Sequence, residues 1–174
     1  MDLTQAPIPM LIRRLAIPAS TGFMFNTLYN VTDTYFAGLV GTDALAALSL
    51  SFPVFFIVIA LGAGVSQGAT ALISNAIGAK MPDRARTFVL QSMVFAFILG
   101  LVLTVAGLAA TPTLFRILGA EGAYLEICLR YMNVILSGTV TSFLQSVFNG
   151  ILTAQGDTVS YRNVLIGGSL LNLV

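Results

Sequence analysis

Asp33 is an acidic residue in a segment whose other residues are apolar or uncharged. No charged residue occurs over residues 15–32, a run that covers most of a bilayer at about 1.5 Å per helical residue. A carboxylate at the centre of a spanning helix costs about 2.5–3.5 kcal/mol on insertion scales, so it should face a bundle interior or a water-filled cavity. Asp33 is therefore expected to have a function or a partner within the membrane. Alternatively, Asp33 lies at the membrane surface, with Thr34 and Gly38 as turn residues.

Uncharged polar residues extend this candidate site along the predicted helices. Helical spacing puts Asn26, Tyr29 and Asn30 on the same side as Asp33. Further along the chain, polar residues recur at every fourth position over residues 133–149, which predicts a stripe facing protein or water. A run of small residues over 60–68 favours close helix packing, and Gln67 within it is an alternative lining residue for a water-filled path. The predicted cavity-lining residues are Asn26, Tyr29, Asn30, Gln67, Thr141, Gln145 and Asn149.

The composition is that of an all-α polytopic membrane protein. Hydrophobic residues make up 57% of the chain, charged residues 9%, and the mean hydropathy is +0.93. The net charge of +1 argues against nucleic acid as a partner. One cysteine, no histidine and no paired intramembrane carboxylates leave neither a Cys/His metal site nor a catalytic set, so we do not expect an enzyme.

The apolar segments predict five transmembrane helices in an incomplete N-terminal lobe over residues 1–174. Thr42 or Asp43 is expected to cap the second helix, and Pro112 to end the third. The last segment has 12 residues, too few to cross a bilayer, so we expect a truncated fragment that ends inside its fifth helix. The predicted spans cover residues 15–40, 44–78, 87–110, 127–154 and 163–174.

Pro18 and the basic residues bear on geometry and orientation. Pro18 interrupts the first span and is either an ordinary membrane proline or a hinge. Most basic residues lie before the first span, between the second and third, and after the fourth. This asymmetry favours a cytoplasmic N-terminus. The residues concerned are Arg13, Arg14, Lys80, Arg84, Arg86 and Arg162.

Six short motifs spread over almost the whole chain resemble the amino-terminal part of a multidrug and toxic compound extrusion (MATE) family transporter. Each motif is weak by itself, and their order along the chain makes the resemblance fairly specific. They are LAIP at 15–18, VTDTYFAG at 31–38, GTDALAA at 41–47, ISNAIGA at 73–79, GILTAQGD at 150–157 and LNLV at 171–174.

The resemblance implies about five transmembrane helices that form most of one six-helix lobe of a twelve-helix transporter, with the C-terminal lobe missing from this chain. It implies an antiporter of the bacterial inner membrane that exports drugs, xenobiotics or cationic and amphipathic metabolites by alternating access. Sodium or a proton would be the coupling ion, with no other cofactor. Asp33 matches the family's cation-carrying aspartate, and Asn172 matches an asparagine that faces it. Pro18 matches the proline whose bending follows the state of that aspartate, and Tyr29 matches a nearby tyrosine.

Two alternatives to a drug antiporter stay open at this point. A flippase for lipid-linked precursors, from the same wider superfamily, would usually carry basic residues in its cavity, and no clearly central Lys or Arg occurs in the spans. A fragment that does not transport by itself is the other alternative, since half a transporter need not transport.

Overall fold

The computed structural model describes residues 7–172, apart from the side chains of Leu11, Arg14 and Asn172. Over this range the chain forms seven α-helices and one π-helical turn, without a β-strand. These elements confirm the predicted all-α class. The helices are α1 Ile8–Leu11, α2 Ile17–Val40, α3 Thr42–Gly78, α4 Pro82–Ile117, α5 Gly122–Ser137, α6 Thr139–Ala154 and α7 Val159–Asn172, and the π-helical turn covers Ile12–Ala16.

Several predicted boundaries were wrong, for identifiable local reasons. Neither Thr42 nor Asp43 caps α3 through its side chain, because Gly41 turns the chain at a φ of 144° and α3 begins directly at Thr42. Pro112 does not end α4, since a long membrane helix tolerates the loss of one backbone hydrogen bond. Gly119, at a φ of 90°, follows the end of α4 instead.

The predicted fourth span is two helices rather than one. α5 and α6 meet at Gly138 with a bend of 44°. By length and apolar character, α3 and α4 each qualify as membrane spans, and the bent α5–α6 pair qualifies as a third. The first predicted span, α2, has 24 residues, but its asparagine, threonine and aspartate side chains interrupt it, and it lacks an apolar stretch like those of α3 and α4.

The core lies between α3, α4, α5 and α6. Its largest fully buried side chains include Phe115, Met132, Leu136, Phe143 and Val147. Large apolar side chains cover the outside of the same helices, as in a protein that faces hydrocarbon rather than water.

α2 and α7 form a second pair beside this core, in contact with each other over much of their length. The two helices approach closely at Gly22, where an added Cβ would lie 3.1 Å from Leu165 Cδ1 and 3.5 Å from Arg162 Cα. The first and fifth predicted spans are therefore neighbours.

The small residues of α3 act as a packing surface on one side of the helix only. At Gly62 an added Cβ would lie 3.4 Å from the Ser146 hydroxyl on α6. The Thr70 hydroxyl lies 2.8 Å from the Ser66 carbonyl oxygen and 3.0 Å from the Gly150 carbonyl oxygen across the interface. This confirms the predicted close helix approach.

Gly150 should tolerate no side chain. An added Cβ there would lie 2.6 Å from the Ser66 backbone carbonyl oxygen, which cannot rotate away, so Gly150→Ala should cost about 1–3 kcal/mol of stability through overpacking. Thermal unfolding in detergent, followed by circular dichroism, measures the loss. Gly68→Ala is the matched control, because open space surrounds Gly68. It should leave the melting temperature unchanged or raise it, and equal losses in both variants would contradict the close α3–α6 contact.

The start of α7 is held by Asp157 in the preceding turn. One carboxylate oxygen accepts hydrogen bonds from the Val159 and Ser160 amides at 3.1 and 3.0 Å, and the other accepts one from the Ser160 hydroxyl at 2.6 Å. Hydrogen bonds from the Ser160 hydroxyl and amide hold the pKa of this carboxyl below its usual value, while burial opposes them.

This cap should make the stability of α7 depend on pH. Because the folded pKa is the lower one, the contribution of Asp157 is complete above the unfolded pKa and is lost as pH falls through the folded value. Asp157→Ala should cost about 1 kcal/mol at neutral pH, whereas Asp157→Asn keeps an acceptor for the helix amides and should cost less. Melting temperatures of the three proteins between pH 7 and pH 2 check this. An identical acid dependence in wild type and Asp157→Asn would contradict it.

Candidate functional site

A cavity of about 450 Å³ lies where the α2–α7 pair meets α3, α5 and α6. Its wall combines carboxamides, hydroxyls and aromatic rings with small and aliphatic residues. Such a mixture in an apolar setting is typical of a site for small organic molecules. The lining residues are Phe23, Asn26, Phe55, Val58, Ile59, Gly62, Ala63, Ser66, Gln67, Ile135, Thr139, Ser142, Phe143, Gln145, Ser146, Asn149 and Tyr161.

Four of the seven predicted cavity residues line this cavity. Asn26 reaches it from α2, Gln67 from α3, and Gln145 and Asn149 from α6. Residues about 120 positions apart in the sequence are thus brought to one site by the packing of the helices.

Three predicted residues lie outside the cavity lining. Thr141 is exposed on another side of α6. Tyr29 and Asn30 lie one turn beyond Asn26 on α2, and the Asn30 amide donates a hydrogen bond of 2.8 Å to the Asn26 carbonyl oxygen. These two residues therefore continue the polar side of α2 away from the cavity.

Asp33 is exposed on α2, about two turns beyond Asn26, and does not line the cavity. The Asp33 carboxylate and the Tyr29 side chain lie within electrostatic range of the Tyr131 phenol on α5. Asp33 therefore shares a helix with two cavity residues, Phe23 and Asn26, while its charge lies outside the cavity wall.

The predicted stripe with a spacing of four does not form one surface. On an α-helix, positions four apart drift by about 40° per step, so residues 133 and 149 would face nearly opposite sides even without a break. The break at Gly138 changes the register further.

The polar lining of α6 instead follows spacings of three and four through Thr139, Ser142, Ser146 and Asn149. This is the ordinary periodicity of one helix face, and the sequence contained that signal. The aromatic lining, contributed by four different helices, had no local signal. It consists of Phe23, Phe55, Phe143 and Tyr161.

Pro18 is buried at the beginning of α2, directly after the π-helical turn Ile12–Ala16. A proline cannot donate its backbone hydrogen bond and crowds the carbonyl four residues before it, and a π-helical turn relieves that crowding. Whether Pro18 acts as a hinge stays a prediction. The side chain of Asn172 lies outside the described part of the chain, so the predicted pairing with Asp33 stays a prediction.

Between residues 7 and 172, no three His, Cys, Asp or Glu side chains come together as a metal site would require. Within the same range the cavity wall carries no ionisable acid or base other than the Tyr161 phenol. The cavity wall is suited to hydrogen bonding and aromatic contact.

The break between α5 and α6 forms part of the cavity wall, with Ile135 on one side and Thr139 on the other. The Thr104 hydroxyl of α4 donates a hydrogen bond of 2.9 Å to the Leu136 carbonyl oxygen, two residues before the break at Gly138. Two glycines of α4 flank this contact. An added Cβ at Gly100 would lie 2.9 Å from Val140 Cα, and one at Gly107 would lie 2.7 Å from Leu136 Cδ2. The sequence of α4 is mostly apolar and gives no sign of such a role, yet α4 contacts both sides of the α5–α6 bend and stabilises it.

Comparison with known proteins gives consistent matches. The MatE family description matches residues 18–174. A protein of Shewanella oneidensis named "FAD transporter" is 30% identical over 99% of this chain and 38% of its own length. A protein of Thermotoga maritima named "Probable multidrug resistance protein NorM" is 33% identical over 92% of this chain and 34% of its own length.

A solved structure gives the same result for the fold. The crystal structure of a mutant MATE superimposes with a TM-score of 0.92 at 34% identity, over 97% of this chain and 38% of that one. The chain thus spans less than two fifths of the length of each of these relatives.

Removing the Thr104 hydroxyl should destabilise the bend. Thr104→Val keeps the shape of the side chain but removes the hydrogen bond to the Leu136 carbonyl oxygen, which should cost about 1 kcal/mol. Thr104→Ser retains the hydroxyl and should behave as wild type, and Thr113→Val serves as a control at an exposed threonine on the same helix. Melting temperatures in detergent measure the difference. A loss no larger for Thr104→Val than for Thr113→Val would contradict the supporting role of α4.

Proposed function

Because this chain belongs to the MatE family, we propose that it forms the amino-terminal part of a cation-coupled antiporter. The substrates would be drugs, xenobiotics and cationic or amphipathic metabolites, exported across the bacterial inner membrane by alternating access. We include metabolites because one relative is named as an FAD transporter. We include drugs because another relative is named as a multidrug resistance protein. The remaining part of the transporter would supply a second lobe, since the chain spans only 34–38% of these relatives.

The observation that carries this proposal is that one helix, α2, both lines the cavity and carries Asp33. Phe23 and Asn26 of α2 line the cavity, and the same helix carries Asp33 about two turns further on. A movement of α2 would therefore change the cavity and the surroundings of the carboxylate together.

The mechanism follows from the charge on Asp33. When the carboxylate takes up sodium or a proton, its charge is neutralised, and packing its part of α2 against neighbouring helices in an apolar setting costs less. α2 packs mainly on α7 and contacts the core helices less, so a shift of the α2–α7 pair against the core would be the natural movement. Pro18 and the π-helical turn at the beginning of α2 would act as the hinge.

Coupling requires that the cation and the substrate favour different positions of α2. The sodium-bound form would use carboxylate and amide oxygens, which suit a hard cation, with Asn172 supplying the amide. The proton-bound form would need only Asp33. The basic residues of the α3–α4 turn place that turn, and with it the N-terminus, in the cytoplasm under this proposal.

A flippase for lipid-linked precursors is less well supported. Holding a pyrophosphate group would require basic side chains, and none lines the cavity among the described residues. A fragment that does not transport alone remains consistent with the share of its relatives that the chain covers.

Replacing Asp33 by Asn should abolish coupling without disturbing insertion. Asparagine preserves shape and polarity but carries no charge for a cation to neutralise, so export of ethidium with a gradient should fall to the rate seen without one. The assay uses the complete gene product in liposomes with an imposed sodium or proton gradient. Asp83→Asn, an exposed acid in the first turn of α4, is the matched control and should export normally. Export by Asp33→Asn at the wild-type rate would rule out the mechanism.

A further inference from the structure

We propose that the cavity binds an uncharged, planar heteroaromatic group whose edge carries neighbouring hydrogen-bond donors and acceptors, as in an imide. This inference rests on the proposed transport function and specifies which part of a substrate the lobe holds. It follows from three properties of the cavity wall: its lack of formal charge, its unused hydrogen-bonding groups and its aromatic rings.

The first property is the absence of a counter-charge for an ionic ligand. Among the described residues, the polar lining consists of carboxamides and hydroxyls, and Asp33 lies outside it. A cation or anion transferred from water into such a site would lose its hydration without gaining an ion pair. The wall therefore favours a neutral group, and a charged part of the substrate would have to lie outside the cavity.

The second property is that some polar side chains of the wall already donate hydrogen bonds within the protein, whereas others do not. The hydroxyls of Thr139, Ser142 and Ser146 each donate to the carbonyl four residues earlier, at 3.3, 3.1 and 2.9 Å, so only their oxygen lone pairs remain available. By contrast, the carboxamides of Gln67 and Gln145 form no hydrogen bond with the described residues.

Each free carboxamide offers two N–H donors and one carbonyl acceptor in a plane. A ligand that satisfies both glutamines must itself present carbonyl oxygens and N–H groups. An imide edge has this arrangement, whereas a hydrocarbon or a simple amine does not. Leaving these amides unpaired against an apolar ligand would cost binding free energy.

The third property is the set of aromatic rings around these amides. Phe23, Phe55 and Tyr161 reach the cavity from α2, α3 and α7, whereas most of its polar residues belong to α6. Aromatic side chains favour stacked or edge-to-face contact with another ring. The cavity volume of about 450 Å³ lies within the usual range for small-molecule sites and accommodates a fused-ring system.

The test is equilibrium binding of fluorescent or absorbing probes to the complete gene product in detergent, without an ion gradient. Lumichrome, an uncharged tricycle with an imide edge, should bind about tenfold more tightly than phenazine, an uncharged tricycle of similar size without N–H donors. Ethidium, a planar cation, should bind more weakly than lumichrome. Equal affinity for lumichrome and phenazine, or tighter binding of ethidium, would overturn the inference.

Two cavity variants and one control test the assignment to the carboxamides. Gln145→Leu and Gln67→Leu should each weaken lumichrome binding about tenfold while leaving phenazine binding nearly unchanged. Gln155→Leu is the matched control, because Gln155 is exposed at the end of α6 outside the cavity. Circular dichroism shows whether each variant is folded. Lumichrome binding that is unaffected in both folded cavity variants would overturn the assignment.

This experiment separates the two proposals. Lumichrome binding that depends on Gln67 and Gln145 supports the inference, whether or not gradient-driven export is observed. An absence of gradient-driven export counts against the proposed antiport and not against the inference. Export that depends on Asp33, together with no preference for lumichrome, supports antiport and overturns the inference.

Discussion

The structure depends on the close approach of α6 to two neighbouring helices at once. On one side the Gly150 backbone lies against Ser66 of α3, and on the other the Val140 backbone lies against Gly100 of α4. Within hydrocarbon, helices gain little from burying apolar side chains against each other, so backbone contact across small residues and hydrogen bonds to backbone carbonyls hold them together. Glycine at these two interfaces leaves α6 little freedom to move.

This arrangement determines which face of α6 is available for binding. With α3 and α4 occupying much of its surface, the face that carries Ser142, Gln145 and Asn149 is directed toward the gap beside α2 and α7. The gap can remain open because α2 packs mainly on α7 and touches the core helices less. Under the proposed function, a four-helix core beside a pair that touches it less gives a physical basis for alternating access, because the pair would shift with little repacking of the core.

Under the proposed function, ion binding and substrate binding occupy different parts of α2. Asp33 carries the charge near Tyr131, while Phe23 and Asn26 contribute neutral contacts to the cavity. Under the proposed function, the coupling ion and the neutral part of the substrate therefore need not compete for the same atoms. Their effects meet in the position of the helix, which is how a coupling free energy between distinct sites arises.

The sequence alone determined the all-helical membrane class, the family and four cavity residues, because these depend on local apolar runs, short motifs and polar residues within those runs. It did not predict the break at Gly138, the continuation of α4 through Pro112 or the exclusion of Thr141 from the cavity. Those features depend on how each helix is rotated and how closely its neighbours approach. That is decided by non-local contacts, such as the one between Thr70 and Gly150, which are 80 residues apart. Only the tertiary structure could show that Asp33 lies outside the cavity wall, because a helix pattern gives the side on which a residue lies but not what packs against that side.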